Sequence, residues 1–362
     1  MAESLHNSRF RKWLAQSPPV AWGVHQLRGL LIGALRQGPI PQHVAFVMDG
    51  NRRFARDHHI ETVEGHSLGF EALARILEVC YKAGVKVVTI YAFSIENFKR
   101  SKHEVDALMA MAKMKLNQLS EHGSLLDRYG ASIRILGQRS LVRPDVLEAV
   151  DRAMALTAKN NKAILNVCFP YTSRDEIATA VRSTVETYSK PLVTSPSKRP
   201  FSETHITQNI RKQMLTTVPE DVAEQLTTSR STSPSSSNGT SPAVEGAQSP
   251  VTSTAIDHSE KGEGQKTAPN YPDPETITAD TLNDNMLTAG MPPLDLLVRT
   301  SGVERLSDFM LWQCHEKTSI VFLDCLWPEF DLWQFLPVLI EWQWQRKKLQ
   351  EQERNRGRYK LD

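Results

Sequence analysis

The chain has 362 residues, 40% of them hydrophobic, enough for a real core in one large domain or two small ones. Its 43 Lys and Arg nearly balance 41 Asp and Glu, which argues against a nucleic-acid binder. Cys80, Cys168, Cys314 and Cys325 form no C-x-x-C pair, which speaks against zinc and dithiol redox chemistry, and no apolar run reaches the roughly 20 residues of a membrane span.

Residues 1–38 are basic, with Arg9, Arg11, Lys12, Arg28 and Arg36 against Glu3 alone. Leu27, Leu30, Leu31, Ala34 and Leu35 recur at helical spacing and predict one apolar helix face. Two readings stand for it: a helix lying on a membrane surface, or a helix docked on its own domain. From residue 43 onward, short apolar runs alternate with helical patterns. Strands are predicted at 43–48, 85–92, 131–136, 163–168, 294–299 and 318–323. Most are near-continuous apolar runs, the mark of parallel strands covered on both faces, so the expected class is α/β with a parallel sheet and flanking helices. The stretch Thr227–Thr254 is rich in Ser, Thr, Pro and Gly and cannot bury enough surface to offset its ordering entropy. We expect a disordered insert at about 216–270, inside a domain spanning 39–349 and followed by a charged tail at 350–362.

Ligands of open parallel sheets bind beyond the carboxyl ends of the strands. There the sequence places Asp49, Gly50, Asn51, Arg52 and Arg53 after the first strand. Ser94, Glu96, Asn97 and Arg100 follow the second strand, and the fifth ends in Arg299, followed by Arg305 and Ser307. Gly50 lets backbone approach a ligand closely, while Arg53, Arg299 and Arg305 offer forked donors suited to diphosphate oxygens. A lone Asp49 among these cations suits an Mg²⁺ ion, which takes one or two carboxylates plus substrate phosphates, although a helix cap is its plainer use. His66, next to Gly65, is either a further phosphate donor or a capping histidine. Ser94 and Asn97 either orient substrate or cap the helix beginning near Ser101. Glu96 either ties down its loop or takes part in chemistry.

At these residues the sequence resembles the cis-prenyltransferase family, which includes undecaprenyl and dehydrodolichyl diphosphate synthases. The matching segments are HVAFVMDGNRRFAR (43–56), EGHSLGF (64–70), YAFSIENFKRSKHEVDALM (91–109), RILGQ (134–138), LNVCFPYTSRDEI (165–177), LDLLVRTSGVERLSDFMLWQ (294–313) and FLDCLWPEF (322–330). SIENFKRSK and RTSG resemble the eukaryotic dehydrodolichyl branch most. The resemblance implies a six-stranded parallel sheet with a hydrophobic tunnel. It implies condensation of isopentenyl diphosphate onto an allylic, farnesyl-type diphosphate, giving a long polyprenyl diphosphate for dolichol synthesis. Asp49 would carry Mg²⁺ on the allylic diphosphate, and Gly50, Asn51, Arg52 and Arg53 would cradle it. Arg299, Arg305 and Ser307 would hold isopentenyl diphosphate, with Ser94 and Asn97 near the reacting ends. Val105, Leu108, Met109, Ala112, Leu116 and Leu119 of helix 104–119, with Met111 and Met114 beside them, would wall the tunnel as well as the core.

Two departures matter. Thr62 stands where bacterial relatives carry an arginine for the allylic diphosphate. Arg354-Asn355-Arg356-Gly357 has Asn where the C-terminal Arg-x-Gly motif needs Arg. That defect implies an accessory subunit of the same fold, of the Nogo-B receptor type, at the cytosolic face of the endoplasmic reticulum membrane; a homodimer completed by another tail arginine is the alternative. Leu332, Trp333, Phe335, Leu336, Val338, Leu339 and Trp342 serve either that contact or the core. A phosphatase with an aspartyl nucleophile would need Asp at Asn51, and trans-type synthases need an Asp-Asp pair that the sequence lacks. A non-catalytic scaffold subunit is the remaining alternative, disfavoured because the Asp49–Arg53 loop is complete.

Overall fold

The computed structural model describes residues 18–121, 123–192 and 270–358. The expected insert lies almost wholly outside these residues, as does the basic segment before residue 18. The chain divides into two compact units, Met1–Thr187 with Asp273–Asp362, and Tyr188–Pro272. Within the second, the Leu192 N–H donates to the Asn270 carbonyl at 2.6 Å.

The six apolar runs form six parallel strands: β1 (His43–Val47), β2 (Val87–Tyr91), β3 (Ala131–Leu136), β4 (Ala163–Cys168), β5 (Leu296–Arg299) and β6 (Ser319–Phe322). Their order is β3-β4-β2-β1-β5-β6. Strand β2 starts later than its apolar run because the Val85 N–H is taken by the Cys80 carbonyl, at 3.0 Å, where the preceding helix ends. Alternate residues serve opposite faces. Phe46, Val88, Ile90, Leu165 and Val298 join the larger core, while Ala45, Val47, Cys168 and Leu297 join a smaller one with Tyr171 and Phe309. Burial on both faces is why the inner strands β1, β2, β4 and β5 read as near-continuous apolar runs, whereas the edge strand β6 is partly exposed.

The helices are α1 (Pro18–Leu35), α2 (Asn51–Asp57), α3 (Thr62–Ala83), α4 (Lys102–Ser120), α5 (Leu125–Tyr129), α6 (Pro144–Thr157), α7 (Ser173–Tyr188), α8 (Ala279–Asp284) and α9 (Leu332–Arg358). Helix α1 packs against α3 and α9, so the docked reading holds, but through a different stripe than expected. Ile32 and Leu35 are buried and Arg28 is bonded to Asp331, whereas Leu27 and Leu30 are 46% and 72% exposed. On α9, Leu332, Phe335, Val338, Leu339 and Trp342 are core residues, and Trp333 is exposed.

Strands β1 and β5 are neighbours whose onward connections run to opposite sides, towards β2 and β6. A crevice opens at their carboxyl ends, where such a reversal leaves room between the crossovers. Trp327 closes its floor. Its indole N–H donates to the Gly69 carbonyl at 2.7 Å, and its ring packs on Phe46 and Phe330. Truncating such a buried tryptophan costs about 3–5 kcal/mol.

Candidate active site

The site is assembled from three strand ends. After β1 the chain turns at Gly50, whose φ of 110° lies in the left-handed region that favours glycine. A side chain there would also meet Leu326 at 3.0 Å. The turn leads straight into α2, so Asn51, Arg52 and Arg53 lie in its first turn. Gly65 and Gly69 on α3 let α2 approach closely, because a Cβ at either would lie within 2.7 Å of Asn51 atoms. Buried Asn51 Oδ1, facing Gly69, has no hydrogen-bond partner.

Asp49 sits at the centre. Its Oδ1 accepts from the Gly50 N–H at 2.8 Å and its Oδ2 from Arg299 Nη2 at 2.9 Å. Burial alone would raise its carboxyl. The Arg299 hydrogen bond and charge and the Gly50 N–H outweigh burial and hold it below the ordinary carboxylate range. Asp49 is therefore an anion at neutral pH with its side chain 38% exposed. Gly50, not Asp49, caps α2.

Arg299 is 3% exposed, and its role differs from the free fork expected of it. Nη1 donates at 2.5 Å to both the Arg305 carbonyl and Ser307 Oγ, and Nη2 holds Asp49. It thus ties the loop after β5 to the loop after β1. Arg53 Nη2 makes a second tie, to the Ser301 carbonyl at 2.8 Å. Arg305 is exposed, with Nε 3.3 Å from Ser307 Oγ.

After β2, Ser94 Oγ caps the single turn Ile95–Lys99 by accepting the Glu96 N–H at 3.2 Å. Ser101 caps α4 itself, so neither Ser94 nor Asn97 caps that helix. Asn97 Oδ1 accepts from Arg100 Nη2 at 3.0 Å, and Arg100 Nη1 binds Glu104 at 2.9 Å. Glu96 is bonded to Lys99, consistent with the loop-tying reading. Arg52 stands 3.8 Å from Glu104. His66 lies a full turn inside α3 and is not a cap. Burial and the Arg100 and Arg52 charges, opposed by Glu104, push it down to about 4, so it is neutral at neutral pH. Its buried Nε2 has no protein partner.

All these residues line one cavity of about 740 Å³: Asp49 to Arg53, His66, Ser94, Asn97, Arg100, Arg299, Arg305 and Ser307. Its inner wall is apolar. Leu108, Met111, Ala112, Leu116 and Leu119 of α4 face Phe70 and Leu73 of α3 above Ile90, Ile135 and Val167 of the sheet. Of the helix residues expected there, Met109 is in the core and Met114 is 51% exposed. An anion-binding mouth over an apolar interior suits an amphiphile with a charged head and a hydrocarbon tail. Among the described residues no three His, Cys, Asp or Glu side chains converge as a metal cluster.

The undecaprenyl diphosphate synthase family model matches residues 47–236 and 240–350. The chain belongs to this family. It is a polyprenyl transferase. A dehydrodolichyl diphosphate synthase complex subunit from Schizosaccharomyces pombe is 42% identical over 335 residues, covering 92% of this chain and 97% of that protein. The human dehydrodolichyl diphosphate synthase complex subunit is 34% identical over 316 residues, covering 87% of this chain and 71% of its own length. The crystal structure of lavandulyl diphosphate synthase from Lavandula x intermedia, in complex with dimethylallyl diphosphate, shares the fold. Its TM-score is 0.56 at 22% identity, over 84% of this chain and 95% of that one. Among the residues of this prenyltransferase's cavity that drew no role from the sequence are Arg174, at the start of α7, and Asp308, beside Ser307. They lie 134 positions apart, and only the fold brings them together. Their one sequence signal was a place inside family-like segments.

Proposed function

We propose that this prenyltransferase condenses isopentenyl diphosphate onto an allylic diphosphate of the farnesyl class, repeatedly, to give a long cis-polyprenyl diphosphate for dolichol synthesis and protein glycosylation. The observation that carries this reading is the single cavity with a cationic mouth from three strand ends and an apolar interior walled by α3 and α4. The named dehydrodolichyl diphosphate synthases among its relatives support it.

In this reading Gly50, Asn51, Arg52, Arg53, His66 and Arg100 receive the allylic diphosphate. Arg305 and Ser307, held by Arg299, receive isopentenyl diphosphate. Asp49 fits Mg²⁺ as a partly exposed carboxylate where the two loops meet, since that ion takes one or two carboxylates and completes its shell with phosphates and water. When bound, Mg²⁺ would neutralise charge on the diphosphate oxygens. The chain's own part is to stabilise the departing allylic diphosphate with Arg and backbone N–H donors and to align the isopentenyl double bond with the ionising carbon. Asn51, whose carbonyl oxygen has no protein partner, and Ser94 and Asn97 stand where the reacting ends would meet. The product tail moves inward along α4 as the head stays at the mouth.

The relatives are named complex subunits, and we extend that state to this chain: an accessory subunit of the Nogo-B receptor type would supply the Arg that Asn355 replaces. Among the described residues no helix is long and apolar enough to cross a membrane. The exposed Trp22 and Leu30 of α1 suit a peripheral seat on the endoplasmic reticulum surface.

The test is incorporation of radiolabelled isopentenyl diphosphate onto farnesyl diphosphate with Mg²⁺, by the chain alone and with a candidate accessory subunit. Long polyprenyl products that rise with the partner are expected. Absence of product in both samples would reject the reading, and equal activity in both would reject the heteromer.

A further inference from the structure

Arg174 has no part in the mechanism above, yet it sits at the cavity rim. Its Nε donates to Asp308 Oδ2 at 2.8 Å, and its backbone N–H donates to Asp308 Oδ1 at 3.0 Å. The Asp308 carboxylate is 13% exposed, so the grip is sheltered on the acceptor side although Arg174 itself faces solvent. The neighbouring Ser173 adds two bonds to the same loop. Its N–H donates to the Asp308 carbonyl at 2.8 Å, and its Oγ accepts the Leu311 N–H at 2.9 Å.

The loop so held is a strained one. Ser307 and Asp308 have φ of 50° and 60°, and Ser301 and Met310 are also left-handed. Backbone of this kind persists in non-glycine residues only where the surroundings over-determine it. Two further contacts reach the segment from β2: the Tyr91 hydroxyl shares its one proton between the Tyr171 carbonyl at 3.2 Å and the Ser307 carbonyl at 3.3 Å, and the Tyr91 ring stacks on Phe309 at 4.7 Å. Of all these contacts the Arg174 side chain makes the charged one. Its Nη2 also lies 3.7 Å from Glu96, on the turn that carries Asn97 and Arg100. Arg174 therefore joins the two sides of the mouth without being one of the groups assigned to either substrate.

We propose that Arg174 is a positioning residue: by gripping Asp308 it holds Ser307 and Arg305 in the left-handed loop that receives isopentenyl diphosphate. The proposal rests on the assignment of that loop to isopentenyl diphosphate. A residue that served the fold alone would lower the melting temperature and the amount of active enzyme. A positioning residue changes the apparent affinity for one substrate and spares the other.

The experiment uses the full chain with its accessory subunit and Mg²⁺. Michaelis constants for isopentenyl and farnesyl diphosphate are measured for wild type, Arg174→Ala, Arg174→Lys and Asp308→Asn. Loss of a charge-assisted bond predicts a KM for isopentenyl diphosphate raised about tenfold in Arg174→Ala, with that for farnesyl diphosphate moved less than about twofold. Arg174→Lys keeps the charge but not the fork and should fall between. Asp308→Asn should match Arg174→Ala, and it carries the test if Arg174→Ala fails to fold, because it keeps the side-chain volume. Unmoved KM values, or equal rises for both substrates, would overturn the role of Arg174 alone. A wild-type complex that does not incorporate isopentenyl diphosphate would overturn the site assignment, and this proposal with it.

Discussion

The loops after β1 and β5 face each other across Asp49 and Arg299, yet they are built on opposite principles. The β1 loop is local. One glycine with φ of 110° makes the turn, and the following helix fixes Asn51, Arg52 and Arg53 in consecutive order. The β5 loop carries its strain on Ser301, Ser307, Asp308 and Met310, none of them glycine. Its shape depends on bonds from Arg299, Arg174, Ser173 and Tyr91, drawn from two other stretches of chain, α7 and β2, and from its own start. The first loop follows from adjacent residues. The second is imposed by the tertiary structure and should fail when a distant residue is changed.

The largest expected effect comes from breaking the point where the loops meet. Asp49→Ala should lower turnover by about a thousandfold, the scale seen when one charge-stabilising group is removed from a preorganised site. Far-UV circular dichroism should stay unchanged, because Asp49 is a partly exposed residue whose backbone bonds to Val47 and Thr300 survive the substitution. Near-normal turnover would remove Asp49 from the site.

A smaller effect is expected at the inner wall, which neither loop touches. Ala112 lines the cavity between Leu108 and Leu116 on α4. Ala112→Phe should shift products to shorter chains while leaving the first condensation near the wild-type rate. Chromatography showing an unchanged product length would mean that the tail does not run along α4.

The smallest effect lies at the start of β1, at the end of the sheet away from the mouth. His43 is 1% exposed; its Nδ1 pairs with the Pro292 carbonyl at 3.0 Å and its Nε2 with Thr89 Oγ1 at 2.7 Å. Burial lowers it from 6.5 to about 4, against opposing contributions from Pro292 and Asp295. Between those values the unfolded chain binds a proton that the folded chain does not. Stability should therefore be full above pH 6.5 and fall as pH drops towards 4, by on the order of 3 kcal/mol from this group. His43→Gln should flatten that slope in melting temperature; an unchanged slope would assign the acid sensitivity to other groups.

The contrast between the loops also explains what could be read in the sequence. The inner strands β1, β2, β4 and β5 were legible because they are buried on both faces and so are nearly apolar throughout, and the edge strands β3 and β6 by their shorter apolar runs. The cavity residues were legible because they lie at or just beyond the carboxyl ends of those strands, as Arg299, Asp49 and Asn97 do. The grip of Arg174 on Asp308 was not, since nothing local marks two residues that meet only through folding. The left-handed backbone at Ser307 was hidden for the same reason: serine is not the residue type that such a conformation favours. The docked face of α1 was misread because spacing counts leucines, whereas packing is set by where Asp331 and α9 stand. Arg28, Ile32 and Leu35 meet them, and Leu30 does not.

The central claim is that the two loops serve different diphosphates at one mouth. Calorimetric titration measures it directly, since either substrate alone cannot react. Isopentenyl diphosphate and farnesyl diphosphate would be titrated separately, with Mg²⁺, into the complex carrying wild-type chain, Arg52→Ala or Arg305→Ala. The account predicts a crossed result: Arg305→Ala weakens isopentenyl diphosphate by about tenfold or more and spares farnesyl diphosphate, and Arg52→Ala does the reverse. Equal weakening of both ligands by each substitution would contradict it.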